Sequence, residues 1–109
     1  MATVRKVLGQ LKPSATTLTT LYTVPASTDT VCSSIVVCNQ SATPTTFRVA
    51  IRPAGASIAD QHYIYYDQYI AGNATFIATI GISLATTDVV SVYNTLATLS
   101  FNLYGQENS

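Results

Sequence analysis

Charged side chains are scarce in this chain. Five lysines and arginines and five aspartates and glutamates make up 9% of the 109 residues and cancel to a net charge of zero. A soluble domain ordinarily carries about 25%. Without a basic stripe the composition argues against a nucleic-acid binder. With 48% hydrophobic residues it is not the composition of a disordered chain either. Tryptophan is absent, histidine occurs once, at His62, and cysteine twice. Zinc requires three or four ligands within about 2.3 Å of the ion, so no metal is expected. No Gly-rich phosphate loop or dinucleotide fingerprint occurs, and no cofactor is expected. The most apolar stretch, ATFIATIGISLA, is too short and too rich in threonine to span a membrane. The start, MATVRKVLGQLKPS, lacks the apolar core of an export signal. A cytoplasmic site of synthesis is therefore expected, with the sequons at Asn39 and Asn73 serving as turns.

In place of charge the chain offers Thr, Ser, Ala, Gln and Tyr. Interface cores are depleted in charge and enriched in Tyr. One reading is a surface covered by copies of the same chain or by a larger assembly. The other is a neutral domain kept soluble by its hydroxyls. At 109 residues the chain is long enough for one two-layer core and too short for a second, so a single domain over 1–109 is expected.

Helical periodicity is also nearly absent. Apolar residues alternate in short runs rich in Val, Ile, Thr, Tyr and Phe. In TTFRVAIRP, Phe47, Val49 and Ile51 point one way and Arg48, Ala50 and Arg52 the other. In ATLSFNLY, Leu99, Phe101 and Leu103 oppose Ser100, Asn102 and Tyr104. About eight strands are predicted, near 3–11, 16–24, 29–39, 45–52, 62–70, 74–82, 87–94 and 97–104, separated by turn formers. Their number and spacing predict an all-β fold, a single antiparallel β-sandwich of jelly-roll or Greek-key type. Residues 1–12 form a basic strand or arm with Arg5, Lys6 and Lys12, and 105–109, GQENS, are expected to fray. Asp29 and Asp88 each launch a Val-rich strand that ends in Asn, at Asn39 and Asn94, which suggests a reused turn in which Asp accepts from local backbone N–H groups.

Cys32 and Cys38 lie in one predicted strand, on one face and roughly 20 Å apart. A disulfide needs Cα atoms within about 7 Å, so two buried free thiols are expected.

Catalytic patterns are weak. Asp60 and Asp67 are roughly 23 Å apart if extended, beyond the ~5–10 Å of a glycosidase pair. Gly81-Ile82-Ser83-Leu84-Ala85 is similar to a nucleophile elbow, but the motif needs a following helix and a later His, and His62 lies upstream. No enzyme is expected. The densest cluster of chemistry is ADQHYIYYDQYI, residues 59–70. As a regular strand it places Ile64, Tyr66 and Ile70 on a core face with His62 and Gln68, and Tyr63, Tyr65, Asp67 and Tyr69 on the other. That second face could be sheet packing, an exposed contact strip in which Tyr combines apolar area with a hydroxyl, or a glycan-binding strip, which ordinarily adds Trp.

The stretch LTTLYTVPASTDTVCSSIVVCNQSATPTTFRVAIRPAGA resembles small all-β structural proteins of tailed bacteriophages. In them an L-Y-T-V-P-A turn feeds a Val-rich strand, a short N-x-S/T-rich loop and an F-R-V-A-I strand. HYIYYDQYIAGNATF and TDVVSVYN look like the same group, so the similarity extends over nearly the whole chain. It implies a non-enzymatic virion component, made in the bacterial host cytoplasm, that decorates or cements the capsid surface. A tail, baseplate or fibre component is the alternative address, and a carbohydrate-binding module the alternative class. The expected partners are the chain itself, as a homo-oligomer with a trimer as one candidate, and virion proteins such as the major capsid or tail proteins; no nucleic acid or membrane is expected. The candidate assembly contacts are Arg5, Lys6 and Lys12, Arg48 and Arg52, and Tyr63, Tyr65, Asp67 and Tyr69.

Overall fold

The computed structural model describes residues 2–109. Two antiparallel sheets pack face to face. The first has the order β1 (Thr3–Leu11), β9 (Leu99–Asn108), β3 (Asp29–Asn39), β6 (Thr75–Ala78), with β7 (Ile82–Leu84) also on β3. The second has the order β2 (Thr19–Thr23), β8 (Val89–Asn94), β4 (Thr45–Arg52), β5 (Tyr63–Ile70). Only the β4–β5 and β6–β7 connections stay within a sheet; every other connection crosses between them. The expected all-β sandwich is thus the observed fold, and among the described residues the only helical elements are short 3-10 turns at Pro53–Gly55 and Asp60–His62.

The alternating apolar residues meet between the sheets. Phe47, Val49, Val90, Val92, Ile35, Val37, Leu99, Phe101 and Leu103 are all fully buried. Phe47 is central, its ring against Phe101 at 5.9 Å and Phe76 at 5.1 Å. Burial of each such side chain stabilises the fold by about 1.5–3 kcal/mol before entropy is counted.

Asp88 performs the expected turn role, accepting from the backbone N–H groups of Ala54 and Ala85 at 2.8 Å each. Asp29 does not: it accepts from the Asn108 side chain at 2.8 Å. Asn39 ties two loops, donating to the Thr43 and Ala71 carbonyls.

Four features differ from the sequence expectation, and in three the cause is an extra residue in a strand. Ser33 is an extra residue in β3 relative to β9. It resets the alternation, so Cys32 is in the core while Cys38 lies half-buried on the opposite face; both thiols are free. The segment expected as one strand over 74–82 is β6 and β7, which pair with β3 on either side of that bulge and leave it over residues 79–81. In β5, Asp67 adopts φ 49°, and the register against β4 shifts around it. Tyr65 therefore turns inward onto Phe47 and Phe76, whereas Ile64 and Tyr66, expected in the core, are exposed.

The fourth difference is the C-terminal segment. Residues 105–108 do not fray; they continue β9, paired with β1 on one side and β3 on the other. Pairing on both sides satisfies the backbone groups that a free tail would leave to water. Gly105 makes this possible: a Cβ there would run into the Val31 carbonyl oxygen and press on Cys32 and Leu8.

Candidate functional site

Lateral position follows from strand order. β1 and β2 lie at one side of the sandwich, where they contact each other. β5 and β6 lie at the other, joined by the Tyr65–Phe76 contact at 5.2 Å. The predicted contact residues divide between these two sides.

On the β5 side, Arg48 projects from β4 toward the bulge. Its guanidinium makes two hydrogen bonds to the Asp67 carboxylate, from Nε at 2.7 Å and Nη2 at 3.4 Å. It also lies 4.1 Å from the ring centre of Tyr66, 4.6 Å from that of Tyr93 and 5.9 Å from that of Tyr63. Cation–π contacts of this kind contribute about 0.5–1 kcal/mol each at exposed sites. The Asp67 hydrogen bond is the main reason the guanidinium holds its proton still more firmly than usual. The bulge thus converts a row of tyrosines into a cluster around one cation. Tyr63 and Tyr66 meet edge to face, centroids 5.0 Å apart at 83°, and with Asp60 they line a pocket of about 430 Å³. Tyr66 and Tyr69 are 59% and 61% exposed.

Arg48, Asp67 and Tyr63 are therefore brought together, and Tyr69 lies on the exposed surface of the same strand, opposite Thr46. Tyr65 is not part of this surface. Tyr66 and Tyr93 were missed: strict alternation assigned Tyr66 to the core, and Tyr93 sits opposite Arg48 only through the β4–β8 register. Arg52 is not a free contact either. It donates to the carbonyls of Ala56 and Gly55 and to the Ser91 hydroxyl, fixing the loop that follows β4.

On the other side, Lys6 pairs with Glu107 at 3.0 Å. Glu107 accepts the buried Tyr22 hydroxyl at 2.6 Å, and that hydroxyl is 2.8 Å from Thr30 Oγ1. Four strands are thereby tied through one carboxylate. The Tyr22 hydrogen bond and then Lys6 lower the pKa of Glu107, while burial and the Glu107 contact raise that of Tyr22. Arg5 lines a shallow groove of about 430 Å³ with Val31, Tyr104 and Gln106. Lys12 is exposed just beyond β1.

Ser83 lies within β7 opposite Val31, and the chain turns from there into β8 instead of a helix. The His62 Nδ1 accepts the Ala59 backbone N–H at 3.0 Å, so this nitrogen is occupied in closing the turn before β5. Among the described residues no group of three or more His, Cys, Asp or Glu side chains is placed to hold a metal ion.

No protein-family model matches the chain, and no curated protein matches it.

Proposed function

We propose that this protein is a self-associating structural subunit of a tailed-bacteriophage virion, decorating or cementing the capsid surface without catalysing a reaction. The observation that carries the reading is where apolar side chains remain uncovered. Val4 and Val7 are exposed on β1, and Ile64, Tyr66, Tyr69 and Ile77 on β5 and β6, strands at the lateral ends of the sheets; outside these edges only Val31 on β3 and the loop residues Ile58, Ile80 and Leu96 are exposed among the large apolar side chains of the described residues. Unpaired edge strands are templates for association, and single-chain domains ordinarily protect them with charge or cover. β1 carries Arg5 and Lys6 and β5 is bulged, yet these edge strands still leave apolar side chains exposed, which suits subunits whose edges are covered by neighbours. Closed symmetry is the usual way to cover them.

The virion address rests on the resemblance of the LYTVPA and FRVAI segments to phage structural proteins. The strand order β1-β9-β3-β6 against β2-β8-β4-β5 supports a jelly-roll reading of the sandwich, an architecture used in capsid and lectin domains. The test is the solution mass of the purified protein by light scattering across a tenfold concentration range, together with its copy number on purified particles. A stable oligomer present in many copies per particle is expected, while a monomer absent from particles overturns the proposal. Copies confined to tails would move the address to the tail or baseplate.

A glycan-binding module is the second reading, favoured by the exposed rings of Tyr66 and Tyr69 beside Asp60 and Asp67. It predicts a monomer whose tyrosine fluorescence responds to oligosaccharides.

A further inference from the structure

Most charges in this molecule are satisfied internally. Lys6 pairs with Glu107 and Arg48 with Asp67. Arg52 is bound by loop carbonyls, Asp88 by backbone N–H groups and Asp29 by Asn108. Among the described residues, Arg5, Lys12 and Asp60 have neither an ion pair nor a side-chain hydrogen bond. These three are segregated: the two cations belong to β1 and its end, and the carboxylate opens the 3-10 turn before β5, on the opposite side of the sandwich.

Asp60 also stands in a particular setting. It shares its pocket with Tyr63 and Tyr66, whose rings are nearly perpendicular at 5.0 Å. A carboxylate beside tyrosine rings attracts a cation through its charge, the ring faces turned to Arg48 being already engaged. Asp67 neutralises the nearby Arg48, so the charge of Asp60 is not cancelled from within.

We propose that the Asp60–Tyr63–Tyr66 pocket is a socket for Arg5 of a second copy of this chain. The inference rests on the self-association reading and names its contact. Val7, two residues from Arg5 and on the same face of β1, is exposed, as is Ile64 next to Tyr63 on β5, so each partner also offers apolar surface near the ion pair. The bulge at Asp67 interrupts the edge of β5, which makes this a side-chain contact in place of an extended ladder. Because socket and cation sit on opposite sides of one molecule, the contact is heterologous: each copy offers a free socket to the next, and the series ends only by closing into a ring.

The test uses Arg5→Ala and Asp60→Ala, both at exposed side chains, with thermal unfolding followed by circular dichroism to establish that each variant folds. Each substitution is expected to raise the Kd for self-association about tenfold or more. An equimolar mixture of the two variants retains one intact socket and one intact arginine, and is expected to form a one-to-one complex that grows no further. If the wild type associates and neither substitution weakens it, the socket is overturned while self-association stands. If the wild type is monomeric throughout, both fall. If the pocket binds tetramethylammonium in an Asp60-dependent way while association is indifferent to Arg5, its occupant is a small cation and the proposal is overturned.

Discussion

Where β1 and β2 meet, charge is turned inward: Lys6, Glu107, Tyr22 and Thr30 form one chain of contacts that locks four strands around a nearly covered carboxylate. Where β5 and β6 meet, the interior is apolar and centred on aromatic rings, with Phe47, Tyr65 and Phe76 in mutual contact, and charge is turned outward as Arg48 and Asp67 beneath exposed tyrosines. The same two ingredients, a carboxylate–cation pair and tyrosine rings, therefore serve cohesion at one end and surface at the other. What decides between them is the pairing of the strand at the carboxylate itself. At the first end β9 is paired on both sides through Gln106 and Glu107, so its carboxylate is held under its neighbours. At the second, the bulge at Asp67 lifts the carboxylate out of the sheet.

The comparison can be broken most severely at the aromatic end. Phe47→Ala removes the ring that joins β4 to Phe76 and Phe101, and a loss of about 3–5 kcal/mol is expected by urea denaturation. At the polar end, Tyr22→Phe leaves the shape intact but removes a hydrogen bond to a carboxylate, with an expected cost of about 1.5–3 kcal/mol. The pH dependence sharpens this. Glu107 has a folded pKa below its ordinary 4.5, so its contribution is present above that value and is lost as pH falls through the lowered one. Glu107→Gln is expected to be less stable at neutral pH and to show a flatter stability profile in acid; an unchanged slope would remove Glu107 from this role.

Arg48→Met tests the surface cluster. It removes an exposed ion pair and the cation–π contacts but keeps much of the apolar stem, so about 1–2 kcal/mol is expected. A smaller cost than that of Tyr22→Phe is the outcome that preserves the contrast between the ends. The least effect on stability is expected from modifying Cys38. Its half-buried thiol should react with an aromatic disulfide reagent in the native protein, whereas Cys32, enclosed and pushed by burial from 9.0 to about 11, should react only on unfolding. Two thiols titrating together in the native state would contradict the resetting of β3 at Ser33.

Most strands were legible because alternation and turn residues coincide, as at Thr45–Arg52. The bulges were not. Ser33 and Asp67 mark register shifts without a Gly or Pro in their own strand to announce them, and each reverses the faces expected beyond it. The Arg48 cluster was half legible for that reason: Tyr63 and Asp67 were placed correctly, while Tyr65 and Tyr66 exchanged roles. The strand character of 105–108 depends on partners about a hundred residues away, and GQEN has no strand propensity of its own to signal it.

The pairing of Ala2 with Ser109, through hydrogen bonds in both directions, has a mechanical consequence. These two residues lie side by side at the same end of an antiparallel ladder. Tension applied between them would peel β1 from β9 one bond at a time, as a zipper opens. Tension applied between Ala2 and the Asp60 turn instead crosses the sandwich and loads many bonds together. A chain held by its two ends should therefore yield at low force, whereas one gripped across its width should resist, a difference that single-molecule pulling from those two pairs of points would read directly.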